Sequence, residues 1–340
     1  MIGILVFQHM TAADLMGPAE TFFRSVISTD NDRDRRCYQV VTIGVNAEDC
    51  VTESGIIVKP QIDMQHAPPL DTLILPGGSG LHDARLGKKL ERWLSSRAHA
   101  TRRIATLGSG IYTLAATGLL DGRNVTTHWR LTRDVAMRFP KLRLTPNNLF
   151  VKDDRFYTCA GGASAVDLAL ALIEEDYGPR VALTIARELV LYFKRPGCQN
   201  QQSEILQFQS KSVSRLSELT TWIASHLNDN LSVELLAARA CLCPRHFTRR
   251  FKMEFGISPA DFVERLRLDE ACRRLSIRDN SIESVGESVG FKSADAFRRA
   301  FERRLGVNPS DYRRHVDSNA KCVRNAAHRR HKLAGFSRAA

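Results

Sequence analysis

The sequence predicts two domains of different class. An α/β domain with a mostly parallel sheet between helices comes first, and an all-helical domain with two helix-turn-helix motifs follows. Three observations predict this. Over residues 1–195, continuous apolar strand patterns alternate with helical ones, as in a sheet covered on both faces. Residues 196–213 open near Pro-Gly, are rich in Gln and Ser, and form the expected linker. From Leu231 to Tyr312 one unit is written twice at an offset of 50 residues. Phe247, Phe251, Gly256 and Pro259 recur as Phe297, Phe301, Gly306 and Pro309.

In chain order, "GILVF" is a short buried strand and "DLMGPAETFFRSVIS" a helix with Asp14 near its start. "YQVVTIGV" is a second strand, and "GIIVKPQI" an edge strand or hairpin arm. "DTLILPGG" runs from strand into a Gly turn, and "GKKLERWLSSRAHA" is an amphipathic helix. "RIATLGSGIYTLAATG" reads as strand, turn and helix. "NVTTHW" is a strand, "LTRDVAMRFP" a helix and "LFVKDDRFYTCAGG" a strand pair. "SAVDLALALIEEDYGPRVALTIARELVL" supplies two helices.

The repeat occupies a predicted domain at 214–315, which opens with a helix near Arg215–Leu227. In the first copy a supporting helix near Leu231–Arg239 carries Val233, Leu235, Leu236 and Ala240. The fixed offset pairs Leu235 with Val285, Ala240 with Gly290 and Cys241 with Phe291. Recognition helices are expected near Pro244–Glu254 and Ala294–Arg304, with Cys243 and Ser293 at their N-caps. Opposite the Phe pairs lie Arg245, His246, Thr248, Arg249 and Lys252 in the first copy. Lys292, Ser293, Asp295, Arg298, Arg299 and Arg303 are the matching DNA-facing set in the second. Long donors on an exposed helical face reach phosphates and base edges.

Charge supports a nucleic-acid partner. Residues 201–340 hold 25 Lys and Arg against 16 Asp and Glu, a net +9 of the chain's +12. The tail 316–340 is basic, lacks periodicity and is expected to be disordered. Eight scattered cysteines without repeated spacing argue for thiols used as small apolar residues, hence a reduced, cytoplasmic protein. Cys241 and Cys243 are too close, and lack a second ligand pair, for a zinc site. No apolar run approaches the ~20 residues needed to span a bilayer. Neither a metal nor a cofactor is expected.

The stretch "GFKSADAFRRAFERRLGVNPSDYRR" is similar to the most specific segment of AraC-type DNA-binding domains. The resemblance covers about residues 215–315. It implies two helix-turn-helix units joined by a stiff helix, here near Pro259–Leu275, entering successive major grooves of double-stranded DNA about 34 Å apart. "GSGIYTLAATGLLDGRNVTTHW" and "CAGGASAVDLALALIEEDYG" resemble the GlxA family of regulators. These join a flavodoxin-like domain of the ThiJ/PfpI type, similar to glutamine amidotransferases, to an AraC-type domain. In catalytic relatives a Cys occupies the turn that here carries Gly108, and the family's acidic position matches Asp14, facing Gly108.

Gly108 has no side chain with which to attack a substrate, and Ser109 falls one residue late, so no enzyme is expected. Ligands of open α/β sheets bind outside the carboxyl ends of the strands. Those ends carry Asp14, Gly77, Gly78, Gly108, Ser109, His128 and Trp129. Free N–H groups at Gly78 and Ser109 would hold a carboxylate, Asp14 would pair an amine, and Trp129 would stack on a cation. The expected function is a transcription activator responding to an amino acid or quaternary ammonium effector. It would dimerise through its first domain, with RNA polymerase as a further partner. The alternative is an amidase or hydrolase with an appended DNA-binding domain.

Overall fold

A computed structural model describes residues 1–28, 34–192, 194–202, 215–275 and 280–314. They divide into two units, Met1–Gln201 and the remainder from Gln202.

The first unit is built on a seven-stranded sheet. Its order is Phe150–Asp153, Phe156–Cys159, Arg103–Leu107, Thr72–Leu75, Ile2–Val6, Val40–Gly44 and Ile62–Asp63. All neighbours run parallel except the first pair. The strands Ile2–Val6, Thr72–Leu75 and Arg103–Leu107 are buried along their whole length, as continuous apolar runs require. One core lies on the side of helices Ala12–Phe23 and Ser164–Tyr177, the other on the side of Ala84–Ala98 and Ile111–Ala116.

Three local expectations change. The first helix stops at Phe23, and Val26–Ser28 pairs antiparallel with Asp34–Arg36. The β-branched Val26 and Ile27 favour a strand once the helix has ended at Arg24. The run at 55–62 splits into Ile57–Val58, in a hairpin with Cys50–Val51, and the edge strand Ile62–Asp63. Pro60 lies between them and cannot donate to a ladder. In "NVTTHW" only Asn124–Val125 forms a strand, paired with Arg143–Leu144 outside the main sheet. Thr126 and Thr127 turn to other partners: Thr126 N–H donates to Thr158 Oγ1, and Thr127 Oγ1 to the Gly108 carbonyl.

The start of the expected linker lies on the first unit. Gly197 and Gln199 carbonyls accept from Phe150 and Leu149, and Gln201 N–H donates to Asn147 O. This segment runs along the free edge of the sheet and satisfies backbone groups there. The rest of the expected linker, from residue 203, lies outside the described residues, as does the tail 316–340.

The second unit holds helices Arg215–Ser225, Val233–Arg239, Pro244–Phe255, Pro259–Leu275, Ile282–Ser288 and Ala294–Leu305. The helix Pro259–Leu275 serves two cores. Phe262, Val263 and Leu266 join Phe247 and Phe251; Leu268, Ala271 and Leu275 join Phe297 and Phe301. Gly256 and Gly306 close the two recognition helices with φ of 79° and 71°. A Cβ there would meet nothing within 4 Å, so the left-handed backbone alone calls for glycine.

The repeat does not keep one offset. In the first helix of each copy the caps are Ser232 and Ser281, and the buried residues are Leu236 and Val285, an offset of 49. Leu235, paired with Val285 in the sequence reading, is 42% exposed. The offset becomes 50 at Phe247 and Phe297. The extra residue lies in the second copy's turn, where Gly290 has φ 92°, whereas the first copy bends at Cys241 with φ 56°.

Candidate functional site

The strand ends of the first unit meet around Gly108. This residue follows strand Arg103–Leu107 with φ 51°, a backbone that strongly favours glycine. Asp14, in the first turn of helix Ala12–Phe23, is 2% exposed and points at it. Gly77 N–H donates to Asp14 Oδ2 at 2.9 Å, and Gly162 N–H donates to Oδ1 at 2.6 Å. Gly78 N–H donates to Ser109 Oγ at 2.8 Å. On the other side of the turn, Thr127 Oγ1 donates to the Gly108 carbonyl at 2.9 Å. That bond brings the segment leading to His128 and Trp129 onto the elbow.

A second acid stands nearby. Glu53, from the hairpin arm after Cys50–Val51, accepts from Ser79 N–H at 2.7 Å and Thr11 Oγ1 at 3.1 Å. These donors hold its carboxyl below the usual range, against the opposing pull of partial burial. Asp14 shifts the other way. Burial raises it, its two backbone donors oppose that, and the charge of Glu53 adds to the rise. Glu53 is therefore the more acidic of the pair and Asp14 the less acidic. Burial beside Arg130 lowers His128, whose Nδ1 accepts Arg130 N–H at 3.3 Å. Cys159 is fully buried against Ser164 Oγ, and its thiol is pushed up to about 12. That suits packing rather than reactivity.

In the second unit the recognition helices are Pro244–Phe255 and Ala294–Leu305. Phe247 and Phe251 in one, and Phe297 and Phe301 in the other, are fully buried. The opposite faces are exposed. Among the described residues Arg245, Arg249, Lys252 and Arg299 make no ion pair, and His246 and Lys292 are exposed. Thr248 is half-buried, and its hydroxyl donates to Pro244 O. Ser293 Oγ caps its helix by accepting from Ala296 N–H. Arg298 pairs with Glu283 at 2.5 Å and lies 3.9 Å from the exposed Asp295. Arg303 is held by both oxygens of Glu264 on the connecting helix.

Residues 1–175 match the DJ-1/PfpI family, and residues 236–315 match a helix-turn-helix domain. The chain belongs to the DJ-1/PfpI family. It is 33% identical over 220 residues to the HTH-type transcriptional regulator ArgR of Pseudomonas aeruginosa, covering 65% of this chain and 67% of that protein. It is 30% identical over 234 residues to the HTH-type transcriptional regulator GlxA of Rhizobium meliloti, covering 66% and 71%. It is also 28% identical over 189 residues to the isonitrile hydratase of Pseudomonas putida, covering 55% and 77%. A DJ-1/PfpI unit followed by an AraC-type helix-turn-helix region is the architecture of a transcriptional regulator, and this chain is one.

Within this DJ-1/PfpI unit the structure brings Asp14, Gly77, Gly78, Gly108 and Ser109 together, with His128 and Trp129 joined through Thr127. Three expectations about them change. Asp14 is not open to pair an amine, because it is 2% exposed and both its oxygens accept backbone N–H groups. Gly78 N–H is not free for a carboxylate, because Ser109 Oγ accepts it. Trp129 already carries the chain's own cation, with the Arg130 guanidinium 4.9 Å from its ring centre, though it remains 42% exposed. Sequence reasoning missed Glu53, Gly162, Thr127 and Gln201. Only the paired glycines in "CAGG" carried a signal: Gly161 and Gly162 have φ of 85° and 58°. The others arrive through tertiary hydrogen bonds that no local pattern marks.

Proposed function

We propose that this chain is a transcription activator controlled by a small nitrogenous metabolite, an amino acid or a quaternary ammonium compound, held without catalysis beside Gly108. One observation carries the reading. The turn keeps the backbone of a nucleophile elbow, with φ 51° and a buried acid facing it, yet offers no nucleophile. A site with that shape and no attacking group binds its ligand and releases it unchanged. The ionised Glu53 and the exposed Trp129 ring favour a positive group on the ligand. The exposed cations at 245, 249, 252 and 299 are placed on the two recognition helices, which would enter successive major grooves. Homodimerisation through the first unit, a contact with RNA polymerase and action in the cytoplasm complete the proposal.

A thermal-shift screen of the full chain against amino acids and betaines tests it, since a ligand that binds only the folded state raises the melting temperature. The expected hit loses its shift in Glu53→Gln and Trp129→Ala, and is itself recovered chemically unaltered. Turnover of the hit, or shifts that survive both substitutions, would place the ligand or the chemistry elsewhere.

A further inference from the structure

Gln201 is the last residue of the first unit, and its side chain is spent on the Thr127–Trp129 segment, the wall beside Gly108. Its Nε2 donates to the carbonyls of Thr127 and Asn148, both at 2.8 Å, and its Oε1 accepts Trp129 N–H at 2.8 Å. Its own N–H donates to Asn147 O at 2.7 Å. Its Nε2 also reaches Thr126 Oγ1 at 3.4 Å, so one primary amide makes four side-chain bonds and leaves little capacity unused. The preceding segment is tied as firmly: Arg195 makes a forked pair with the buried Asp167, and Asn200 bridges Asn148. A mere tether to the next domain would need none of this.

The bonds form a chain with direction. The Gly108 carbonyl is held by the Thr127 hydroxyl, the Thr127 carbonyl by the Gln201 amide, and Gln201 is followed directly by the stretch that leads into the DNA-binding unit. We propose that Gln201 is a positioning residue that couples ligand binding beside Gly108 to the segment 197–202, where the chain leaves the first unit. The same amide fixes the Thr127–Trp129 wall and the point where the chain leaves the first unit. A ligand that shifts the wall must stretch or release these bonds, and one that braces the wall strengthens them. In this proposal the coupling free energy is carried by the making and release of these bonds. This inference rests on the proposal that the pocket around Gly108 and Trp129 holds the effector.

Hydrogen exchange on the full chain tests it, with L-arginine and glycine betaine as the probes. Without a probe, Gln201→Leu should speed exchange at Trp129 and across residues 197–202 by about two- to ten-fold, as expected for losing net hydrogen bonds of ordinary strength. In the wild-type chain a bound probe should slow exchange at 126–130 and 197–202 together; in Gln201→Leu it should slow 126–130 alone. A probe that protects 126–130 in the wild type without touching 197–202 overturns the coupling, as does equal protection of both segments in the variant. If neither probe protects 126–130 in the wild type, the effector proposal is what has failed. Gln201 is then judged without a ligand, and unchanged exchange at Trp129 in the variant overturns its role. Gln201→Glu, which keeps the acceptor for Trp129 and loses both donors, replaces the Leu variant should that fail to fold.

Discussion

A Cβ placed on Gly108 would stand 3.7 Å from Asp14 Oδ2 and 3.6 Å from the Ala160 carbonyl, with nothing closer. The site therefore has room for a side chain, and the obstacle is the φ of 51°, which costs a non-glycine residue about 1–2 kcal/mol. Gly108→Cys is expected to fold and to present a thiol more acidic than free cysteine, whose pKa is about 8.5. The reason is that the turn at Gly108 leads into helix Ile111–Ala116, whose N-terminus favours a thiolate. Peptide-level alkylation rates against pH measure this. A thiol at 108 that titrates like free cysteine would show that the elbow lacks the activating geometry.

The buried Asp14 also sets a pH signature. Its folded pKa is raised, so its favourable contribution is fully present below the unfolded value and is lost as pH rises through the folded one. The wild-type melting temperature should therefore fall relative to that of Asp14→Asn as pH rises from the unfolded carboxyl value of about 4 towards neutrality. Paired melting curves across that window check the sign. A gap that stays constant with pH would mean that the fold does not raise the Asp14 pKa.

On the DNA side, Arg299 and Arg298 are not equivalent. Arg299 makes no ion pair among the described residues, while Arg298 is paired with Glu283. Arg299→Ala should lower the salt slope of duplex binding by about 0.9, the release expected for one phosphate contact. Arg298→Ala should lower it less, and Glu283→Gln should tighten binding by freeing Arg298. Fluorescence anisotropy at several salt concentrations separates these outcomes. Equal effects of the two Arg substitutions would show that the Glu283 pair does not compete with DNA.

The changed offset of the repeat makes a stability prediction. Leu236 is fully buried and Leu235 is 42% exposed. Leu236→Ala should cost about 2–5 kcal/mol in the unfolding of the second unit. Leu235→Ala should stay within about 0.5 kcal/mol. Denaturant unfolding followed at Trp222 measures both, and similar losses would restore the uniform offset of 50.

Features that depend on local periodicity and backbone chemistry were legible in the order of residues. The buried strand Ile2–Val6 is an apolar run, the connecting helix Pro259–Leu275 begins at a proline, and the helices ending at Gly256 and Gly306 need a left-handed residue. Each is written in neighbouring residues, as is the absence of a nucleophile at Gly108. Tertiary structure alone decided which donors and acceptors were already taken. Ser109 Oγ occupies Gly78 N–H, Glu283 and Glu264 occupy Arg298 and Arg303, and Gln201 reaches back to Thr127 from 74 positions along the chain. It also decided which of two adjacent leucines, 235 or 236, faces the core, because one residue added in a turn rotates a helix by about 100°. Hydrogen bonds between distant segments follow from packing, and a linear pattern carries no record of them.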